Sequence, residues 1–268
     1  MKKYLPFFLF FAMIACISQL ESDSANDAVP TVLPDRSHRF SFDSTALLIS
    51  NFLMKTELNK IASSYALGGT FPASQLKLQP NSKGILFWFC FKPGKNPEFF
   101  LASEQLEKYD MTNLPRMPLA NTLLIPEFTF KKTDEVQDVL SVKDFLKDQV
   151  TPGTGARSID NASVSMYINS FDSLMTAIAD EKGEKYNQYS FSFFARNKAK
   201  EVERFLEQAG DDGFVKYYFG YDENDKPNRI RVILISGDSF GKNKITTRQK
   251  DEVLILQKSW PPPVDENQ

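Results

Sequence analysis

Cysteine and histidine are nearly missing from this chain: two of the first, Cys16 and Cys90, and one of the second, His38, in 268 residues. One histidine excludes the His-rich metal sites, and no Cys/His spacing of a zinc site occurs. If Cys16 is modified, Cys90 has no partner, so the fold must hold without an intramolecular disulfide. An excess of positive charge is also lacking. Lys and Arg number 32 against 34 Asp and Glu, and removing residues 1–15 with Lys2 and Lys3 takes the net charge from −2 to −4. Nucleic-acid binding needs clustered Lys/Arg and is set aside. The N-terminal apolar run to Ile17 is about 14 residues, short of the roughly 20 of a membrane span.

What that N-terminus does have is the layout of a secretory signal: Lys2 and Lys3, then an uncharged apolar run from Tyr4 to Ile14, then the small Ala15 before Cys16. Met13-Ile14-Ala15-Cys16 resembles the lipobox of bacterial lipoproteins, with Met13 in place of the usual Leu. The resemblance implies cleavage before Cys16, lipidation of Cys16, and a chain held at a bacterial membrane by acyl groups, each methylene contributing about 0.8 kcal/mol. Ordinary secretion with later cleavage, and an uncleaved anchor helix, are the other readings. Glu21, Asp23 and Asp27 follow the cysteine, as in some surface-exposed lipoproteins, and the outer membrane is the favoured location.

Residues 16–36 are polar, carry Pro30 and Pro34, and read as a flexible tether. Trp260-Pro261-Pro262-Pro263 and the acidic end that follows read as extended polyproline II and a disordered tail over 261–268. With the signal removed about 250 residues remain, enough for one large domain or two small ones.

Ser41-Phe42-Asp43-Ser44 recurs as Ser170-Phe171-Asp172-Ser173, and the flanks suggest a repeat. Alternation at Phe40 and Phe42, and again at Val164, Met166 and Ile168, predicts a half-buried strand entering each copy. A capped helix is expected after each, with apolar residues nearly all round the first from Ala46 to Met54. Next comes an aromatic strand in each copy: Ile85–Phe91, buried on both faces with Cys90 inside it, and Tyr189–Phe194. Asn96-Pro97 predicts a second helix carrying Phe99, Ala102 and Leu106, matched by Ala199–Ala209 with a stop at Gly210. Segment 65–80, with Gly68-Gly69 and Pro72, has no counterpart and reads as an insertion. Leu123–Phe130 stands where the other copy has strands, and Val136–Val150 is read as helix. Phe214–Tyr221 and Arg229–Ile235 form a hairpin, and a last strand spans 253–257. The expected fold is therefore α+β, with two related strand–helix–strand–helix halves (37–150 and 151–260), mixed sheets and a hairpin-rich C-terminal part. The join Thr151-Pro152-Gly153-Thr154-Gly155 reads as a linker, not a phosphate loop.

Val232–Phe240 resembles the first block of the SGNH (GDSL-type) hydrolases, an apolar strand running into Gly237-Asp238-Ser239. The resemblance implies Ser239 as nucleophile, yet no histidine follows it to serve as base, and His38 sits far upstream beside the tether. A strand ending in a Gly-Asp turn explains the block without chemistry. Asp222-Glu223-Asn224-Asp225 lacks the glycine and glutamate of an EF-hand loop and reads as a hairpin tip. Tyr217, Tyr218, Phe219 and Tyr221 form either an aromatic platform for a sugar or partner, or core. No spacing singles out a carboxylate pair for glycoside hydrolysis. The sequence thus points to a lipid-anchored envelope protein, a non-catalytic binding or interaction module with an envelope protein or glycan as partner. No cofactor, metal or catalytic residue is assigned. The alternative is an envelope hydrolase acting on carbohydrate or ester.

Overall fold

A computed structural model describes residues 38–56, 58, 66–108, 115–131, 136, 138–150, 155–186, 189–222, 229–245 and 255–256. The signal segment with Cys16, the tether, most of the 151–155 join, residues 223–228 and the proline-rich tail lie outside them.

Ser41 caps α1 (Phe42–Lys55), its hydroxyl accepting from Ser44 N at 3.1 Å. The helix ends where Thr56 turns extended. Then follow β1 (Ala66–Pro72), the single turn α2 (Ala73–Leu76), β2 (Gly84–Lys92), β3 (Glu98–Leu106), β4 (Thr122–Pro126), β5 (Thr129–Lys131) and α3 (Val139–Asp148). The remainder is β6 (Ala156–Asp160), α4 (Asn161–Glu181), β7 (Phe191–Ala195), α5 (Glu201–Ala209), β8 (Phe214–Asp222), β9 (Arg229–Gly237) and β10 (Ile255–Leu256).

The strands form two five-stranded sheets, ordered β10-β9-β8-β1-β5 and β6-β4-β3-β2-β7. The fold is α+β, and among the described residues every strand pairing is antiparallel rather than mixed. Alternate residues of β2 and β3 feed two layers, which is why both strands are apolar on both faces. Phe87, Phe89, Phe99 and Leu101 meet Phe71, Tyr217 and Phe219 of the other sheet in the inner core. The Phe99 and Phe219 rings lie 4.2 Å apart, and Phe171 from α4 stacks on Phe99 at 5.5 Å. Leu86, Trp88, Cys90, Phe100 and Ala102 face outward instead, covered by Val164 and Ile168 of α4. On the other sheet α1 packs against β8 and α3 against α1, while α5 sends Val202, Phe205 and Ala209 into the inner core.

Several expectations fail against this arrangement. Residues 98–106 are strand β3, not a helix: Asn96-Pro97 closes the β2–β3 hairpin, and β3 pairs with β2 from Glu98 to Leu106. Residues 163–168 open helix α4 rather than forming a strand; Val164 and Ile168 are one helical turn apart and buried, whereas Met166 is 56% exposed. The shared tetrapeptide occupies unlike places: Ser41–Ser44 starts α1 and Ser170–Ser173 lies mid-way along α4. Segment 65–80 is no insertion either. It holds β1, seated between β5 and β8, where a Cβ on Gly68 would lie 1.9 Å from the Tyr217 carbonyl oxygen. Strands from both sides of residue 150 occur in each sheet, so neither half builds a sheet by itself.

Candidate functional site

Helix α4 begins at Asp160, whose carboxylate accepts from Ser163 N at 2.8 Å, and runs across the outer face of sheet β6-β4-β3-β2-β7. Where Phe171 turns into the inner core, the next residue, Asp172, faces the segment leading into β7. Its Oδ1 accepts from Ser190 Oγ and, at 3.3 Å, from Tyr186 OH. Arg116 approaches from the β3–β4 connection, its guanidinium carbon 5.3 Å above the Tyr189 ring. Tyr189 leans on Phe191 and Phe191 on Trp88, so the aromatic wall continues into the packed outer layer. Together these groups line an open recess of about 280 Å³. Burial lifts the Asp172 carboxyl above the usual carboxylate range, while the Ser190 and Tyr186 bonds and the Arg116 charge act the other way.

A second buried carboxylate holds the recess together from behind. Glu104 on β3 is 5% exposed. It accepts from Trp88 Nε1 at 2.7 Å, Leu119 N at 3.1 Å and Ala120 N at 2.8 Å. Asn161 at the start of α4 donates its amide to Pro118 O and Ala120 O at 2.9 and 2.7 Å. Segment 115–121, which carries Arg116, is thus tied to β2, β3 and α4 at once. Burial raises the Glu104 carboxyl in spite of its bonds. Each oxygen already accepts an N–H bond, and its place is structural.

The arrangement offers one acceptor, one cation and two half-buried phenol rings. Among the described residues lining the recess, Asp172 is the single carboxylate. Glycoside hydrolysis by the usual route needs two flanking carboxyl groups.

Cys16, the lipidation residue expected from sequence, lies outside the described residues. Cys90 is fully buried in β2, and burial pushes its thiol far above the ordinary range. Ser239 sits exposed on a turn closed by Asp238, whose Oδ1 accepts from Phe240 N at 2.9 Å and Lys242 N at 2.8 Å. His38 is not adrift at the end of a tether: it is 1% exposed, with Nε2 2.9 Å from Ala195 O and its backbone N–H donating to Glu201 at 2.7 Å. The Glu201 carboxylate also accepts from Arg39 and Asn197, pinning the chain where it joins the body. That site holds His38 against β7. The aromatic-platform reading of β8 is overturned, because Tyr217, Tyr218 and Phe219 are 0% exposed and belong to the core, and Tyr221 is half-buried and packs against it. The Asp222–Asp225 cluster falls largely outside the described residues.

The residues that do converge were not read as a site. In the sequence Asp172 reads as part of a helix-start motif and Tyr189 as strand, and nothing singles out Arg116. No local spacing links Arg116, Asp172 and Tyr189, which meet only because β2, β3 and α4 stack. No protein-family model matches the chain, and no curated protein or solved structure matches it either.

Proposed function

We propose that the protein is a lipid-anchored envelope protein that works as a non-catalytic binding module, its ligand seated in the recess beside Asp172. The observation that carries this reading is the convergence of Asp172 and Arg116 on one recess with half-buried aromatic walls, backed by the bonded Glu104. A site made ready in this way lowers the ordering cost of binding. The lone carboxylate lining the recess favours holding a ligand over cleaving one. The anchor rests on the lipobox-like residues ahead of Cys16.

Two measurements test the reading. A labelled fatty acid should enter the protein in cells, and Cys16→Ser should abolish the label; persistence of label in that variant rules out the anchor. For the recess, low-mass fractions of the envelope are titrated into the protein with Trp260 replaced by Phe, so that emission reports Trp88 alone. A saturable change that Asp172→Ala weakens at least tenfold supports binding. An unchanged response in Asp172→Ala refutes the site.

A further inference from the structure

Resting on the binding-module reading, we infer that the recess beside Asp172 takes a neutral saccharide, a chain end or single unit rather than a charged ligand. The first argument is charge. Arg116 and Asp172 line the same recess, and they are the only charged groups of described residues that do so. Their charges cancel, so an anion drawn to Arg116 meets Asp172, and a cation drawn to Asp172 meets Arg116. An uncharged ligand with many hydroxyls meets neither penalty.

Hydrogen-bonding capacity is the second argument. Asp172 engages Ser190 and Tyr186 through Oδ1, which leaves Oδ2 to accept from a ligand hydroxyl. Arg116 is exposed, and no described residue takes a hydrogen bond from its guanidinium, so its donors remain open to ligand oxygens. Sugar hydroxyls both donate and accept, and vicinal pairs suit a carboxylate oxygen and a planar donor set side by side. The Tyr186 ring, apolar in body and polar at the tip, supplies surface for the C–H face of a pyranose, while the Tyr189 ring lies under Arg116 and backs its guanidinium. Size is the third argument. At about 280 Å³ the recess is at the small end of ligand sites, which run about 300–1,000 Å³. It is open on one side, so a chain end can enter while the rest stays in solvent. Preorganisation completes the case: Glu104 and Asn161 hold the Arg116 segment through backbone atoms, which places the donor before the ligand arrives.

The test is an array of neutral oligosaccharides probed with the purified full chain in detergent, with matched ionic partners included. Chitohexaose against its N-deacetylated hexamer, and a neutral hexamer against a hexauronate, hold chain length constant while charge changes. Neutral glycans should bind saturably, and Asp172→Asn and Tyr189→Ala should each lose at least tenfold while unfolding within about 2 °C of the wild type. No saturable binding to any neutral glycan up to millimolar concentration overturns the inference. Tighter binding of the uronate or the deacetylated chain, lost in Asp172→Asn, also overturns it but leaves the binding-module reading standing. Neutral binding that survives in both variants places the saccharide elsewhere and overturns the site.

Discussion

Replacing Glu104 with Gln keeps the side-chain volume and exchanges one acceptor oxygen for an N–H₂ group. Placed toward Ala120, the amide nitrogen would oppose two backbone donors, at 3.1 and 2.8 Å; turned toward Trp88, it opposes the indole at 2.7 Å and only the long arm, 3.4 Å, of the shared Leu119 N–H. The second orientation costs less and leaves the indole N–H buried without a partner. A hydrogen bond to a charged group contributes about 1.5–3 kcal/mol, offset in part by removing a buried charge, so the net loss is about 2 kcal/mol. For a body of this size that lowers Tm by roughly 4–8 °C. Glu104→Leu, which leaves three donors unpaired, should cost roughly twice as much. Burial raises the Glu104 carboxyl in the folded state. Its contribution to stability is therefore fully present below the unfolded value of about 4.3 and is lost as pH rises through the folded one. The gap between wild type and the Gln variant should be wider near pH 4 than near pH 8. Scanning calorimetry at both pH values measures it, and amide exchange at Leu119 and Ala120 reports release of the segment. Equal Tm within 1 °C at both, or a gap that widens with rising pH, would refute the assignment of Glu104 as the tie.

Three further outcomes are expected. Cys90 should resist a thiol reagent in the native protein and react on unfolding, because the thiol is fully buried and held protonated; rapid native labelling would contradict its place in β2. Gly68→Ala should cost roughly 4 kcal/mol or more in urea titration, since the new methyl meets the Tyr217 carbonyl oxygen at 1.9 Å; an unchanged midpoint would mean β1 does not run between β5 and β8. Lys216, 0% exposed and donating to Gly241 O at 2.5 Å, has its ammonium pulled down to about 8 by burial. A base lowered in the folded state binds fewer protons there, so wild-type stability rises with pH between about 8 and the ordinary 10.4. Lys216→Met should be as stable or more stable at pH 7, and that advantage should shrink by pH 10; a growing advantage would contradict the direction.

Much of the fold was legible where local pattern and final environment agree. The uninterrupted apolar run of β2, the β8–β9 hairpin, and α5 with its Gly210 stop fall where composition places them. Reading failed where two periods fit the same residues. Phe99, Ala102 and Leu106 satisfy a helical stripe, but β3 is buried on both faces, and a strand of that kind has no period of its own. Val164, Met166 and Ile168 satisfy alternation, yet the first and last are also i, i+4. The candidate site was illegible for a different reason. Asp172 and Arg116 come together through stacking of layers, and stacking leaves no mark in local spacing.

The interleaving of the two sheets has a kinetic consequence. Gly68 pairs with Tyr218, and Leu86 with Phe193, so neither sheet can close on N-terminal sequence alone. The nascent chain must carry β1 and β2, with their exposed aromatic edges, until β7 and β8 have emerged. Loop closure over such separations is slow, and unpaired strand edges invite self-association in the interval. A protein built this way depends on being kept apart from its own copies until the last third of the chain arrives.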